Sequence, residues 1–149
     1  MIRLATTDDT LTVVNLLKSF LQETSYDQGI EASKDFEHLC KIVWMTLRHG
    51  YIWIAYVNDL PSGLLMAIKE PNMWHPKSIE LREIVWYVIP EVRKTSLGGK
   101  LFLNYCKLGE DLKGKGLIQG YFTTQMSTTD NVDLEHRGFR LTEKTYLKE

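Results

Sequence analysis

The chain has 149 residues, 44% of them hydrophobic and 25% charged, with a formal net charge of −1. That length suits one domain with one core, so residues 1–149 read as a single unit. The near-neutral charge argues against nucleic acid, whose binders carry a basic surplus. No apolar run approaches the ~20 residues that span a bilayer, and Met1–Thr6 turns polar before a signal-peptide core forms. Cys40 and Cys106 lie in helix-like stretches without a closely spaced Cys or His, so neither a zinc site nor a redox pair is indicated. The expectation is a cytoplasmic protein with reduced thiols and no metal, membrane or nucleic-acid partner.

Ile2–Ala5 reads as a short strand, closed by the capping cluster Thr6-Thr7-Asp8-Asp9. Leu11, Val14, Leu17 and Leu21 then recur at helical spacing. Residues 23–33 are polar and read as a loop. Ser33 is placed to cap a second helix with the stripe Phe36, Leu39, Cys40, Val43 and Leu47, which Gly50 would end. Tyr51–Val57 and Leu64–Ile68 predict a hairpin around the turn-forming residues 58–63. An irregular connection over 70–79 leads to a strand over Glu80–Ile89, stopped by Pro90. Leu97, Leu101, Tyr105, Leu108 and Leu112 mark a long helix. Leu117–Thr124 predicts a strand, Ser127-x-x-Asp130 a capping box before a short helix ending near Gly138, and Phe139–Leu147 a last strand. The order β-α-α-β-β-β-α-β-α-β argues for an α+β domain with a mixed sheet.

The segment Glu83–Leu101 carries the sharpest chemical signal. Pro90 forces the backbone out of a sheet, and a helix stripe begins soon afterwards. Between them, Lys94, Thr95, Ser96, Leu97, Gly98 and Gly99 present successive backbone amides at a helix start, an arrangement that suits phosphate. Gly98 and Gly99 let a ligand approach the backbone, while Arg93 and Lys94 add positive charge. A plain strand-loop-helix with incidental glycines is the competing account. Neither the dinucleotide nor the P-loop glycine pattern is present.

This segment resembles the acyl-CoA-binding motif of the GNAT N-acetyltransferase superfamily, which reads Arg or Gln, two residues, Gly, one residue, then Gly or Ala. Here Arg93-Lys94-Thr95-Ser96-Leu97-Gly98 departs from it at Ser96. Ile2–Thr6 with Asp9 is similar to the family's opening, Val57–Gly63 to its hairpin, and Arg137-Gly138-Phe139 to its late Gly-Phe landmark. The resemblance implies a GNAT-like three-layer fold whose mixed sheet, flanked by helices, splays centrally between the strand ending at Ile89 and that starting at Leu117. It implies acetyl-CoA as co-substrate, bound along Tyr87, Val88 and Ile89 with its pantetheine arm in that cleft, amides around Tyr87 and Val88 placed to hold the carbonyl oxygen, and the pyrophosphate on residues 94–99. The implied reaction is acetyl transfer to a primary amine by direct attack.

Direct attack needs an uncharged amine, and Glu83, interrupting an apolar strand, is the candidate general base. It matches the strand position where several family members carry a catalytic glutamate. A strand glutamate that faces solvent or pairs with Arg82 is the other account, and Glu80 is the reserve. The family's thiolate-protonating Tyr corresponds to Leu134 here, while His136 reads as a surface residue. Glu23, Asp27, Glu31, Asp35 and Glu37 make the region between the first two helices acidic, which would favour a small-molecule or peptide amine of cationic kind; ordinary solvated helix ends and loop acids are the competing account. Tyr26, Trp74 and His75 are placed in rim loops; a homodimer is compatible with the resemblance. The competing class is an acyl-CoA-binding or protein-interaction module without turnover.

Overall fold

The computed structural model describes residues 1–24, 27–125 and 132–148. Tyr26, Ser127 and Asp130, singled out above, lie outside the described residues. Strand β1 (Ile2–Leu4) leads through a 3₁₀ turn into α1 (Thr10–Gln22), α2 (Asp27–Ala32) and α3 (Phe36–His49). Then come β2 (Gly50–Val57), β3 (Leu60–Pro71), β4 (Ile79–Val88), α4 (Leu97–Gly114) and β5 (Gly120–Phe122). The described strands form one five-stranded sheet in chain order. β1 to β4 are antiparallel neighbours, and β5 joins β4 in parallel.

Period-two alternation gives the sheet two apolar faces. Ile52, Ile54, Leu64, Met66 and Val85 pack beneath Val13, Val14 and Leu17 of α1 and Leu39 and Val43 of α3. Trp53, Ala55, Leu65, Ala67 and Leu81 pack against Leu101, Phe102 and Tyr105 of α4. The result is helices, sheet, helix: three layers of α+β type, as the sequence implies. No helix among the described residues is long and apolar enough to cross a membrane.

Local departures have local causes. The loop expected over 23–33 contains α2. Asp35 caps α3 by accepting from the His38 amide at 3.0 Å, whereas the Ser33 hydroxyl donates to the Ile30 carbonyl at the end of α2. Gly50 opens β2 instead of closing the helix. A Cβ there would lie 1.9 Å from the Ala67 carbonyl oxygen, so the close approach of β3 requires glycine. The hairpin turns on Asn58 and Asp59 alone, both at positive φ, which lengthens β3 back to Leu60.

The C-terminal expectations are corrected. Residues 134–138 form turns closed by Gly138 at φ +87°, where a helix was expected. Phe139–Leu147 pairs with no strand among the described residues. Phe139 packs against Phe102 and Tyr121, but Leu141, Tyr146 and Leu147 are exposed, so beyond Phe139 these apolar residues find no face to bury against.

Candidate active site

β4 is paired with β3 along its whole length but with β5 only at Glu80, Leu81 and Arg82. From Glu83 to Val88 its second edge meets no strand among the described residues, so the sheet opens into a fork. The Tyr105 hydroxyl of α4 sits at the vertex, within hydrogen-bond reach of the Leu81 and Phe122 carbonyls, one on each prong. The Arg82 guanidinium lies over the Phe122 ring, 4.8 Å from its centre.

Immediately beyond the vertex stands Glu83, 5% exposed. Its Oε2 accepts from the Thr123 hydroxyl at 2.9 Å and the Thr124 amide at 3.0 Å, so the carboxyl spans the opening from β4 to the chain after β5. Burial pushes the Glu83 carboxyl above its ordinary range, and the two hydrogen bonds only partly oppose it. Neither alternative reading of Glu83 survives in this geometry. It does not face solvent, and Arg82 is engaged with Glu70 at 2.7 Å and Glu80 at 3.8 Å. Glu80 is also buried, but it accepts from Asn72 and lies behind the vertex, where β4 and β5 are still paired.

A bulge at Ile84 separates the pairs Ala67–Glu83 and Met66–Val85. It resets the alternation: Leu81 packs with the α4 layer, whereas Val85 and Tyr87 pack with the α1–α3 layer. Trp86 and Val88 return to the α4 side, where Trp86 stacks on Phe102 and donates to the Gly98 carbonyl at 3.1 Å. The bulge therefore lets one strand present the carboxyl on one face and the Tyr87 hydroxyl on the other.

Beyond β4, Pro90–Val92 makes a 3₁₀ turn into α4. Two of the expected cradle amides are used internally: Thr95 donates to Val92 and Leu97 to the Thr95 hydroxyl, and just before them the Arg93 amide donates to Pro90. The amides of Lys94, Ser96, Gly98 and Gly99 have no acceptor among the described residues. A Cβ on Gly99 would meet nothing within 4 Å, whereas one on Gly98 would touch Val88 and Trp86. Ser96 sits at φ −76°, so its departure from the Gly pattern costs no backbone strain. This partly open nest at a helix N-terminus fits a pyrophosphate.

No family model and no curated protein matches the chain in sequence. Solved structures do match in fold. A predicted acetyltransferase from Clostridium acetobutylicum, solved with acetyl-CoA, superposes with a TM-score of 0.70 at 16% identity, over 100% of this chain and 95% of that one. A GCN5-related N-acetyltransferase from Ralstonia eutropha JMP134 gives 0.72 at 16% identity, over 99% and 97%. The chain has the GNAT fold. An aminoglycoside acetyltransferase from an uncultured soil metagenomic sample, in complex with sisomicin, gives 0.63 at 13% identity, over 100% and 96%.

Within this GNAT fold, the other expected site residues are placed unevenly. Tyr87 and Val88 line the open half of β4, but the Ile89 amide is taken by the Ser62 carbonyl. Arg93 turns away from the nest: its Nε donates to the Val88 carbonyl at 2.9 Å, and its guanidinium pairs with Glu23 just after α1. Trp74, 88% exposed, and His75 sit in the β3–β4 loop. That loop lies at the opposite end of β4 from Val88, about 30 Å away at the rise of a strand. Leu117 lies at that far end too, so neither the loop nor Leu117 forms a rim of the fork. Leu134 packs against the α4 core, and His136 is exposed.

Sequence reasoning missed Thr123 and Thr124 as holders of Glu83, Tyr105 at the vertex, and the part played by Glu23. Tyr105 was visible only as one apolar position in a helix stripe. The threonines carry no local signal, because their role depends on a contact some 40 residues away along the chain.

Proposed function

We propose that this chain is an acetyl-CoA-dependent N-acyltransferase that moves an acetyl group to a primary amine. The observation that carries the reading is the Glu83 carboxyl, buried in the fork of a GNAT-type sheet directly upstream of an open amide nest. Acetyl-CoA, when bound, supplies an acyl group activated as a thioester. The free amides of Lys94, Ser96, Gly98 and Gly99 would hold its pyrophosphate, and the unpaired edge of β4 its pantetheine arm. Glu83, with a raised affinity for protons, takes the proton that the attacking amine must lose. Oε2 stays anchored on Thr123 and Thr124, so Oε1 is the oxygen available for that transfer.

A second reading, an acyl-CoA-binding module without turnover, is favoured by the tyrosines. Leu134 cannot donate a proton to a leaving thiolate. Tyr87, Tyr105 and Tyr121 all spend their hydroxyls on Glu23, backbone carbonyls and Glu110. Burial pushes the affinity of all three for their protons further up.

Calorimetry and a thiol-release assay over an amine panel separate the two. Coenzyme A should bind, and Gly99→Asp should weaken it at least about tenfold, or about 1.4 kcal/mol, by placing a carboxylate in the nest. Glu83→Gln should lower turnover by roughly 10²-fold. Binding without thiol release from any amine establishes the module instead, and unchanged affinity in Gly99→Asp removes the nest from the site.

A further inference from the structure

Glu23 stands just beyond α1 with both carboxylate oxygens engaged. Oε1 accepts from the Tyr87 hydroxyl at 2.7 Å and Oε2 from the Arg93 guanidinium, which also lies over the Tyr87 ring. Arg93 belongs to the loop that carries the nest, while Tyr87 belongs to the open half of β4. One half-exposed carboxylate therefore ties the acceptor-side helices to the anion-binding loop. The nearby acids are engaged elsewhere: Glu31 pairs with Lys34, Glu37 with Lys41, and Asp35 caps α3.

We propose that Glu23 is a positioning residue that couples the two substrates, releasing Arg93 to an anion on the nest and thereby exposing its own carboxylate to a cationic acceptor. Arg93 has two claimants for one positive charge. While it serves Glu23, the carboxylate is neutralised and has little attraction for an ammonium. An anion on the neighbouring nest draws the guanidinium toward itself, and Glu23 regains its charge beside the Tyr87 hydroxyl. Because such coupling is reciprocal, a bound cation must equally tighten the anion. The inference rests on the acetyltransferase reading.

The test is equilibrium binding of spermidine, as a cationic probe, with and without saturating coenzyme A, which carries no acyl group and so permits no turnover. In the wild-type protein, coenzyme A should tighten spermidine at least about fivefold, and spermidine should tighten coenzyme A by the same factor. Glu23→Gln should abolish the coupling and, because Arg93 is then already free for the nest, tighten coenzyme A measured alone, with the melting curve still cooperative. Arg93→Gln should act in the opposite sense on the first step: spermidine should bind more tightly without coenzyme A, because Glu23 is already free. The proposal is overturned if coenzyme A binds but leaves spermidine affinity unchanged, if spermidine fails to bind in both conditions, or if the coupling survives Glu23→Gln. Failure of coenzyme A to bind the wild-type protein overturns the acetyltransferase reading as well.

Discussion

A carboxyl as buried as Glu83 keeps its proton to higher pH in the folded chain than in the unfolded one, so it links stability to pH. Between its ordinary value of 4.5 and its raised folded value, the native state binds the extra proton. That contribution is complete below 4.5 and is lost as pH rises through the folded value. Asp9 acts with the opposite sign. The Arg3 guanidinium, bonded to it at 2.7 and 2.8 Å, holds its carboxyl far below the ordinary 3.8, so its contribution is present above 3.8 and lost as pH falls. Thermal melts from about pH 5 to about pH 9, the range in which a buried carboxylate titrates, should show wild-type stability falling with pH. Glu83→Gln should flatten that slope. A parallel pair of curves would mean that the carboxyl ionises without cost.

At the scale of elements, the fork depends on how β5 is held. Only three residue pairs join it to β4, and the Tyr121 ring rests on α4 where Gly109 presents no side chain. A Cβ on Gly109 would fall 2.6–2.9 Å from three atoms of that ring, at its base rather than at a flexible tip. Gly109→Ala should therefore displace β5 and cost about 1–3 kcal/mol, as overpacking does, despite alanine's better helix propensity. Denaturant unfolding measures this, and a stabilised variant would show that β5 yields freely. Such a contact is invisible in sequence, where Gly109 is simply a weak residue inside a helix stripe. The helices α1, α3 and α4 were legible because each buries one apolar stripe, and β2 and β4 because they are long and β-branched. The segment Phe139–Leu147 misled for the same reason: alternation states what a strand would need, not whether a neighbour is there to pair with it.

Across the whole molecule, the nest and the β3–β4 loop lie at opposite ends of β4, with Glu83 between them. Trp74 and His75 seemed fit for a substrate rim because aromatic loop residues often stack on ligands. Which end of a strand a loop occupies depends on strand direction, and the antiparallel run from β3 to β4 carries this one away from the nest. Trp74→Ser should leave coenzyme A affinity and turnover unchanged and shift stability by no more than about 0.5 kcal/mol, the range for surface positions. A lost amine preference in this variant would put the acceptor at the far end of β4. The burial of Glu83 and the open amides after Pro90 were legible because their signals are local: a charged residue in an apolar strand, and a run of amides after a proline. Glu23 was not, since it meets Arg93 across 70 residues of chain.

The order of the strands also sets a sequence of events in time. β1 to β4 lie side by side in the order in which they occur, and the hairpins joining β2, β3 and β4 close over short stretches of chain. β5 reaches β4 only after α4 has crossed the sheet, and it gains a parallel ladder of three pairs for that long closure. The antiparallel meander can therefore assemble before the fork exists. In the native state the same imbalance makes β5, like the equally short edge strand β1, cheap to detach, so its amides should exchange with solvent ahead of those of β2 and β3. The contact of Thr123 and Thr124 with Glu83, which follows directly on β5, should therefore form late and open early.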